Sequence, residues 1–247
     1  MLKGKTAIIT GSSRGIGRQI ARTYAQNGAN VIINGNRMEP LLELKNELKE
    51  FGVGCDIVQG DISLFQTAQQ LADTAMEQYG SIDILVNNAG VNSRVPFLEL
   101  SLEEWDQMIG INLNGVFYIC KCVLPYMVEK QQGIIINISS TASKTAHANA
   151  SICYGASKAA VNSMTQKLAY DMAKYNIRVN GICPGPILTD MSNQWTDEYR
   201  NGVTNKIPLG RLGRTNEVAD VAVFLASDMS GFITGETINV NGGSYMN

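Results

Sequence analysis

Seven short apolar runs, at 5–10, 30–34, 55–59, 82–86, 134–139, 178–183 and 236–240, alternate along the chain with stretches of helical length. Strands separated by helices lie parallel, because a parallel neighbour is reached only through a crossover. The alternation therefore predicts an α/β fold, a doubly wound parallel sheet of about seven strands with helices on both faces. No Pro/Ser/Gly linker or charge run divides the sequence, so residues 1–247 read as a single domain. Capping-box patterns at Ser63-Leu-Phe-Gln66 and Ser101-Leu-Glu-Glu104 predict two helix starts. The one long interval without a clear strand runs from Pro184 to about Asn216.

Two loops stand where such a sheet binds ligands, at the C-terminal edges of its strands. The run Lys5-Thr-Ala-Ile-Ile-Thr10 leads straight into Gly11-Ser-Ser-Arg-Gly15-Ile-Gly17 and then an amphipathic stretch. Strand, glycine turn and helix together suit a dinucleotide. The glycines allow a tight turn, and the helix N-terminus presents free N–H groups to a pyrophosphate. The spacing is Gly-x3-Gly-x-Gly rather than Gly-x-Gly-x-x-Gly. The second loop, Asn87-Asn-Ala-Gly90, follows the apolar run Ile82-Asp-Ile-Leu-Val86.

A third feature carries acid–base chemistry. In Ser151-Ile-Cys-Tyr-Gly-Ala-Ser-Lys158 a tyrosine and a lysine stand four apart, on one face of a helix. A free phenol titrates near pH ~10. An adjacent ammonium favours the phenolate, so Lys158 is expected to lower the Tyr154 pKa toward neutrality. Fourteen residues earlier, Ser140 ends the apolar run Ile134-Ile-Ile-Asn-Ile-Ser-Ser140 and brings a hydroxyl to the same edge.

Composition narrows the function classes. A net charge of −2 gives no general attraction to nucleic acid or to anionic membranes. The start Met1-Leu-Lys-Gly-Lys carries no apolar signal region, and no stretch reads as long enough to span a bilayer. The five cysteines, Cys55, Cys120, Cys122, Cys153 and Cys183, lack metal-site spacing and read as free thiols of a cytoplasmic protein. No metal is expected. The paired charges Glu103-Glu104 and Lys45…Glu50 read as solvated helix faces.

Taken jointly, Thr10-Gly-x3-Gly-x-Gly17, Asp61, Asn87-Asn-Ala-Gly90, Asn112, Ser140, Tyr154-x3-Lys158, Arg178-Val-Asn180 and Pro184-Gly185 resemble the short-chain dehydrogenase/reductase family over essentially the whole chain. Within it, Ile207-Pro-Leu-Gly-Arg-Leu-Gly213, Phe224-Leu-Ala-Ser-Asp228 and Thr234-Gly-Glu-Thr-Ile-Asn-Val-Asn-Gly-Gly243 are most similar to bacterial 3-oxoacyl-(acyl-carrier-protein) reductases. These last motifs also occur in sugar, polyol and hydroxysteroid dehydrogenases, so they mark the family better than the substrate.

The resemblance implies a Rossmann-type fold and hydride transfer between a nicotinamide and a ketone or secondary alcohol. Tyr154 would exchange the proton and Ser140 would hold the substrate oxygen. Lys158 would bind the nicotinamide ribose, and Asn112, with Asn114 as competitor, would hold a water leading to solvent. Cofactor contacts would come from Gly11, Ser13, Arg14, Gly15, Ile16, Gly17, Asn36, Arg37, Asp61, Ile62, Asn88, Ala89 and Gly90, with Tyr154 and Lys158. Pro184, Gly185, Ile187 and Thr189 would complete that set. Residues 186–215 would form a substrate lid. His147, Met191, Trp195 and Tyr199 are the substrate-contact candidates.

No acid stands at the edge of Val31-Ile-Ile-Asn-Gly-Asn-Arg37, and Arg14 and Arg37 can meet a 2′-phosphate, so NADP(H) is favoured and NAD(H) remains possible. The first substrate expectation is a 3-oxoacyl thioester, with acyl carrier protein as partner. The alternatives are a carrier-free ketone (sugar acid, polyol or hydroxysteroid) and a cofactor-binding regulator without catalysis. Carrier docking in the resembling reductases uses arginines, whereas the matching positions here hold Gln131 and Tyr175 beside Lys130 and Lys174. The apolar helix Trp105–Met127 and the stretch after Tyr154 predict a homo-oligomer, a tetramer by resemblance.

Overall fold

The computed structural model describes residues 1–148, 150–189 and 195–246. Seven parallel strands form its central sheet in the order β3-β2-β1-β4-β5-β6-β9. They are β1 (Thr6–Ile9), β2 (Asn30–Gly35), β3 (Cys55–Gln59), β4 (Ile84–Asn87), β5 (Gly133–Ile138), β6 (Ile177–Pro184) and β9 (Thr237–Val240). The chain winds outward from β1 to β3, returns to β4 beside β1, and winds outward again. The reversal leaves a crevice at the C-terminal ends of β1 and β4, where both glycine loops emerge.

Strand side chains alternate between two cores. Ala7, Ile9, Val31 and Ile33 face α1 (Gly15–Gln26), α2 (Met38–Leu48) and α8 (Thr215–Ala226), which bury Ile20, Tyr24, Leu41, Leu44, Val218 and Ala222 there. Ile8, Ile32, Leu85 and Ile135 face α3 (Phe65–Tyr79), α5 (Gly115–Lys130) and α6 (Ile152–Met172), which contribute Leu71, Ile119, Val123 and Val161. Being buried on both faces makes these strands continuous apolar runs. Each fully buried Ile or Leu contributes about 1.5–3 kcal/mol. One bond ties two helices of the first core together, from the Tyr24 hydroxyl to the Ala222 carbonyl at 3.0 Å.

Local expectations fared unevenly. At α4 (Leu102–Ile109) Ser101 and Glu104 form the reciprocal capping box. The Ser63 box does not form: α3 starts at Phe65 behind an uncapped Leu64, and the Ser63 N–H is taken by Asp61 Oδ1 at 2.9 Å. Lys45 is not simply solvated, since it pairs with Asp56 at 3.2 Å. The interval after Pro184 holds two short parallel strands, β7 (Ile187–Leu188) and β8 (Gly213–Arg214), and a helix, α7 (Asp197–Thr204).

A second correction concerns length. α4 and α5 run on through a π-helical turn, Gly110–Asn114, as one helical stretch Leu102–Lys130 of 29 residues. By length and composition alone this stretch could cross a bilayer, and 44% of its most apolar window is buried inside the molecule.

Candidate active site

The crevice is a cavity of about 700 Å³, within the usual size of a cofactor or small-molecule site. Its floor is the glycine turn. Gly11 has a φ of +61°, and a Cβ there would stand 2.7 Å from the Ala89 Cα, so the two loops touch backbone to backbone. A Cβ on Gly17 would collide with the Asn88 side chain and the Gly11 carbonyl. Asn88 Nδ2 donates to the carbonyls of Thr10 and Gly11 at 3.0 and 2.9 Å. The Thr10 hydroxyl accepts from the N–H groups of Asn88 and Ala89, both at 3.0 Å. Asn34 braces the same turn: its Oδ1 accepts the Gly11 N–H, and its Nδ2 donates to Val58 and Gly60 carbonyls. Sequence reading missed Thr10 and Asn34 in these roles, because their partners lie far along the chain.

Helix α1 opens into the cavity with no acidic residue in its first turn and no side chain capping its N–H groups. Free N–H groups at a helix start suit a phosphate. Gly11, Ser13, Arg14, Gly15, Ile16, Asn36, Arg37, Asp61, Ile62, Asn88, Ala89, Gly90, Pro184, Gly185, Ile187 and Thr189 line the cavity, and Gly17 packs behind it. Val91, Asn92, Ile111 and Ile138, not singled out from the sequence, line it too. These walls fit a dinucleotide.

Ser140, Tyr154 and Lys158 meet at the cavity's other end. β5 delivers Ser140, whose Oγ accepts the Ala142 N–H at 3.1 Å and so caps a short turn. α6 carries Tyr154 in its first turn, with Lys158 one turn on and its Nζ 6.0 Å from the Tyr154 ring centre. Lys158 is buried; its ammonium donates to the Ile138 carbonyl at 2.8 Å, and burial brings its pKa down to about 8. The expected lowering of Tyr154 is not what the structure gives. Burial raises the phenol pKa, the Ser140 hydroxyl pulls against that rise, and the nearby Cys183 adds to it. The Lys158 ammonium is directed at the Ile138 carbonyl.

Asn112 sits in the π turn and is fully buried, while Asn114 is exposed. Its Oδ1 accepts the Val91 N–H at 2.8 Å, and its Nδ2 donates to the Val91 carbonyl and to Ser157 Oγ. The Asn112 side chain is thus a clamp on the loop after Gly90, with both amide hydrogens committed.

The substrate-contact candidates stand apart. His147, Trp195 and Tyr199 do not line the cavity, and Met191 lies outside the described residues. His147 is half-buried, burial lowers its pKa, and its Nε2 has no partner. Trp195 and Tyr199 pack edge to face at 5.0 Å, with the Arg94 guanidinium 5.8 and 4.9 Å from their ring centres. Among the described residues, no group of three or more His, Cys, Asp or Glu side chains could hold a metal.

Residues 11–245 match a family model described as enoyl-(acyl carrier protein) reductase. A 3-oxoacyl-(acyl-carrier-protein) reductase of Staphylococcus epidermidis is 37% identical over 98% of this chain and 99% of its own. The crystal structure of a 3-oxoacyl-(acyl-carrier protein) reductase from Brucella melitensis superposes with a TM-score of 0.94 at 35% identity, covering 100% of this chain and 93% of that one. A 7α-hydroxysteroid dehydrogenase complexed with NADH and 7-oxo glycochenodeoxycholic acid matches equally well, with a TM-score of 0.94, 34% identity, and coverage of 100% and 97%. Fold, crevice and full-length likeness agree: the chain belongs to the short-chain dehydrogenase/reductases, oxidoreductases acting on CH–OH and C=O groups.

Proposed function

We propose that this protein interconverts a ketone and a secondary alcohol with NADP(H), and that a 3-oxoacyl thioester is its first candidate substrate. The observation that carries the reaction is the meeting of Ser140, Tyr154 and Lys158 at the end of a cavity whose floor is the glycine turn. Bound there, the nicotinamide supplies or accepts the hydride. Negative charge then grows on the ketone oxygen and needs a proton and hydrogen-bond support. Tyr154 delivers that proton from its hydroxyl, and Ser140 Oγ donates to the same oxygen. A phenol held neutral by burial is ready to act as the acid. Lys158 keeps its ammonium below pH ~8 and so favours the phenolate left behind. Residues 186–215 serve as the lid over the substrate.

Support for NADP(H) comes from the charges on the cavity wall. Arg14 and Arg37 line it and are exposed, and its lone acid among the described residues, Asp61, already accepts the Ser63 N–H. Nothing acidic stands at the end of β2 to repel a 2′-phosphate.

Likeness to the carrier-protein reductases supports the thioester. A specific observation favours a second reading, a carrier-free ketone. Lys130 is committed to the buried Asp83 at 2.6 Å, and Lys174 lies over its neighbour Tyr175, 4.9 Å from the ring centre. Asp83 offsets the charge of Lys130, so less free positive charge is left there to dock an acidic carrier. The test compares acetoacetyl-carrier protein, acetoacetyl-coenzyme A, keto-sugar acids and ketosteroids, each with NADPH and NADH. Fastest turnover of the carrier-bound ketone with NADPH is expected of the first reading, and faster turnover of a carrier-free ketone rejects it. Equal efficiency with NADH rejects the cofactor assignment. Tyr154→Phe should lose roughly 10²–10⁴-fold in rate while binding NADPH as before.

A further inference from the structure

Helix α6 does more than carry Tyr154 and Lys158. Four residues past Lys158, and on the same face, stands Asn162. Its Nδ2 donates to Ser143 Oγ at 2.7 Å, and Ser143 Oγ lies 2.5 Å from the Ser140 carbonyl oxygen. A hydroxyl has one proton, and an amide nitrogen can only donate. The Ser143 proton is therefore committed to the Ser140 carbonyl, and the bonds run one way, from helix to turn. The Ser143 N–H reaches the same carbonyl at 3.0 Å. Close packing backs these bonds: a Cβ on Gly155, the neighbour of Tyr154, would stand 3.2 Å from the Ala142 carbonyl oxygen. At its far end the turn is anchored again, where the Lys144 ammonium donates to the Thr237 carbonyl at 2.9 Å and to Asn239 Oδ1 at 3.0 Å.

What this turn controls is the direction of a hydroxyl. Holding the Ser140 carbonyl fixes the plane of the peptide that follows it. That plane helps to place the Ala142 N–H, which donates to Ser140 Oγ. With one lone pair of Oγ held, the hydroxyl loses freedom to rotate, and its own proton is left for an oxygen arriving in the cavity. Stability alone does not account for Asn162. Its Oδ1 is out of solvent and without a hydrogen-bond partner, and a buried acceptor left unpaired destabilises a fold. A polar side chain held at such a loss calls for a role beyond packing.

We infer that Ser143 and Asn162 are positioning residues for the reaction, which aim the Ser140 hydroxyl at the ketone oxygen. The inference rests on the proposed role of Ser140 and deepens it. One helix then sets both groups that meet that oxygen, Tyr154 directly and Ser140 through Asn162 and Ser143. Any shift of α6 carries the two together, so their spacing is kept. A donor aimed in advance stabilises growing charge without reorganisation. A small misplacement costs rate out of proportion to the bond that was lost.

The test takes whichever of acetoacetyl-carrier protein, acetoacetyl-coenzyme A, keto-sugar acids and ketosteroids the wild type reduces fastest with NADPH. Ser143→Ala and Asn162→Leu should each lose roughly 10- to 100-fold in kcat, less than removal of the donor itself. KM and NADPH affinity should be unchanged. Thr165→Val is the control for damage to the helix, since it removes a buried bond one turn further along α6, from Asn137 Nδ2 to Thr165 Oγ1 at 2.8 Å. It should leave kcat alone. Combining Ser143→Ala with Asn162→Leu should cost no more than Ser143→Ala, because one acts through the other. In a Ser140→Ala background, followed in single turnover, Ser143→Ala should add no further loss, since the hydroxyl it aims is gone. A further loss in that background overturns the inference and leaves the reductase reading standing. So does unchanged kcat in either single variant, or a Thr165→Val loss as large as that of Asn162→Leu. Full activity in Ser140→Ala removes the role of Ser140 and the inference with it. Wild type that binds NADPH but reduces no ketone overturns both the reaction and the inference.

Discussion

Lys158 is the charged group that the interior holds at greatest cost. Burial brings its pKa from 10.5 to about 8, and its one hydrogen bond goes to a neutral carbonyl. The unfolded chain therefore binds this proton more tightly than the folded one between pH 8 and 10.5. Folding is penalised in full below pH 8, and the penalty fades as pH rises through that window. Between pH 7 and pH 10 the wild type should gain about 2–3 kcal/mol relative to Lys158→Met. Urea unfolding of both proteins at the two pH values measures it, and an equal response to pH would show that the ammonium is well solvated. Activity should vanish in the variant throughout. A side chain that costs stability and is absent from the core's apolar packing is explained by chemistry, here by the phenolate it is proposed to favour. The sequence showed the pair of Tyr154 and Lys158 through their spacing alone. It could not show that the ammonium turns to the Ile138 carbonyl, twenty residues back, nor that burial would dominate the phenol.

Between elements, the π turn at Gly110–Asn114 is the decisive local irregularity. An extra residue in the turn shifts the helix register by one, and such turns recur at functional sites. Here the shift brings Asn112 to Val91 and leaves Asn114 outside. Asn112→Ala should free the loop, raising the exchange rate of the Val91 amide and lowering kcat. Because Val91 is itself exposed, water replaces part of what is lost, and stability should fall by only about 1 kcal/mol. Unchanged exchange at Val91 would count against the clamp. Strands were legible in the sequence because burial on both faces leaves uninterrupted apolar runs. The glycine turn was legible because its strand, turn and helix are contiguous. Asn34, Thr10 and Val91 were not, since each acts through partners 21 to 79 residues away. Two identical-looking capping patterns also parted ways. Ser101 caps its helix, whereas Asp61 reaches the Ser63 N–H first and displaces the start of α3 to Phe65.

At the scale of the whole molecule, α5 and α6 leave large side chains in water. Phe117 is 50%, Ile152 51% and Tyr170 83% exposed. A core helix pair that is apolar on its outer side as well calls for a partner, and these helices are proposed to meet a second copy, two such pairs making the tetramer. Light scattering at micromolar concentration should give about four times the chain mass, and Phe117→Glu with Tyr170→Glu should give a smaller species. A wild-type monomer would refute it. The position of β9 has a different consequence, one of timing. Its residues pair with β6, and the Gly185 N–H on the cavity wall donates to Val240 at 3.0 Å. Arg178 and Asn180 on β6 likewise bond carbonyls between Leu225 and Ile233. During synthesis the glycine turn emerges first, yet the strand beside the far wall arrives about 220 residues later. At roughly 5–20 residues per second that is a wait of roughly 10–50 s. For the last roughly 3–11 s of it, once β6 has emerged, β6 offers an open edge, the kind that pairs with the wrong chain. The newborn protein is therefore most at risk of aggregation between the emergence of β6 and that of β9.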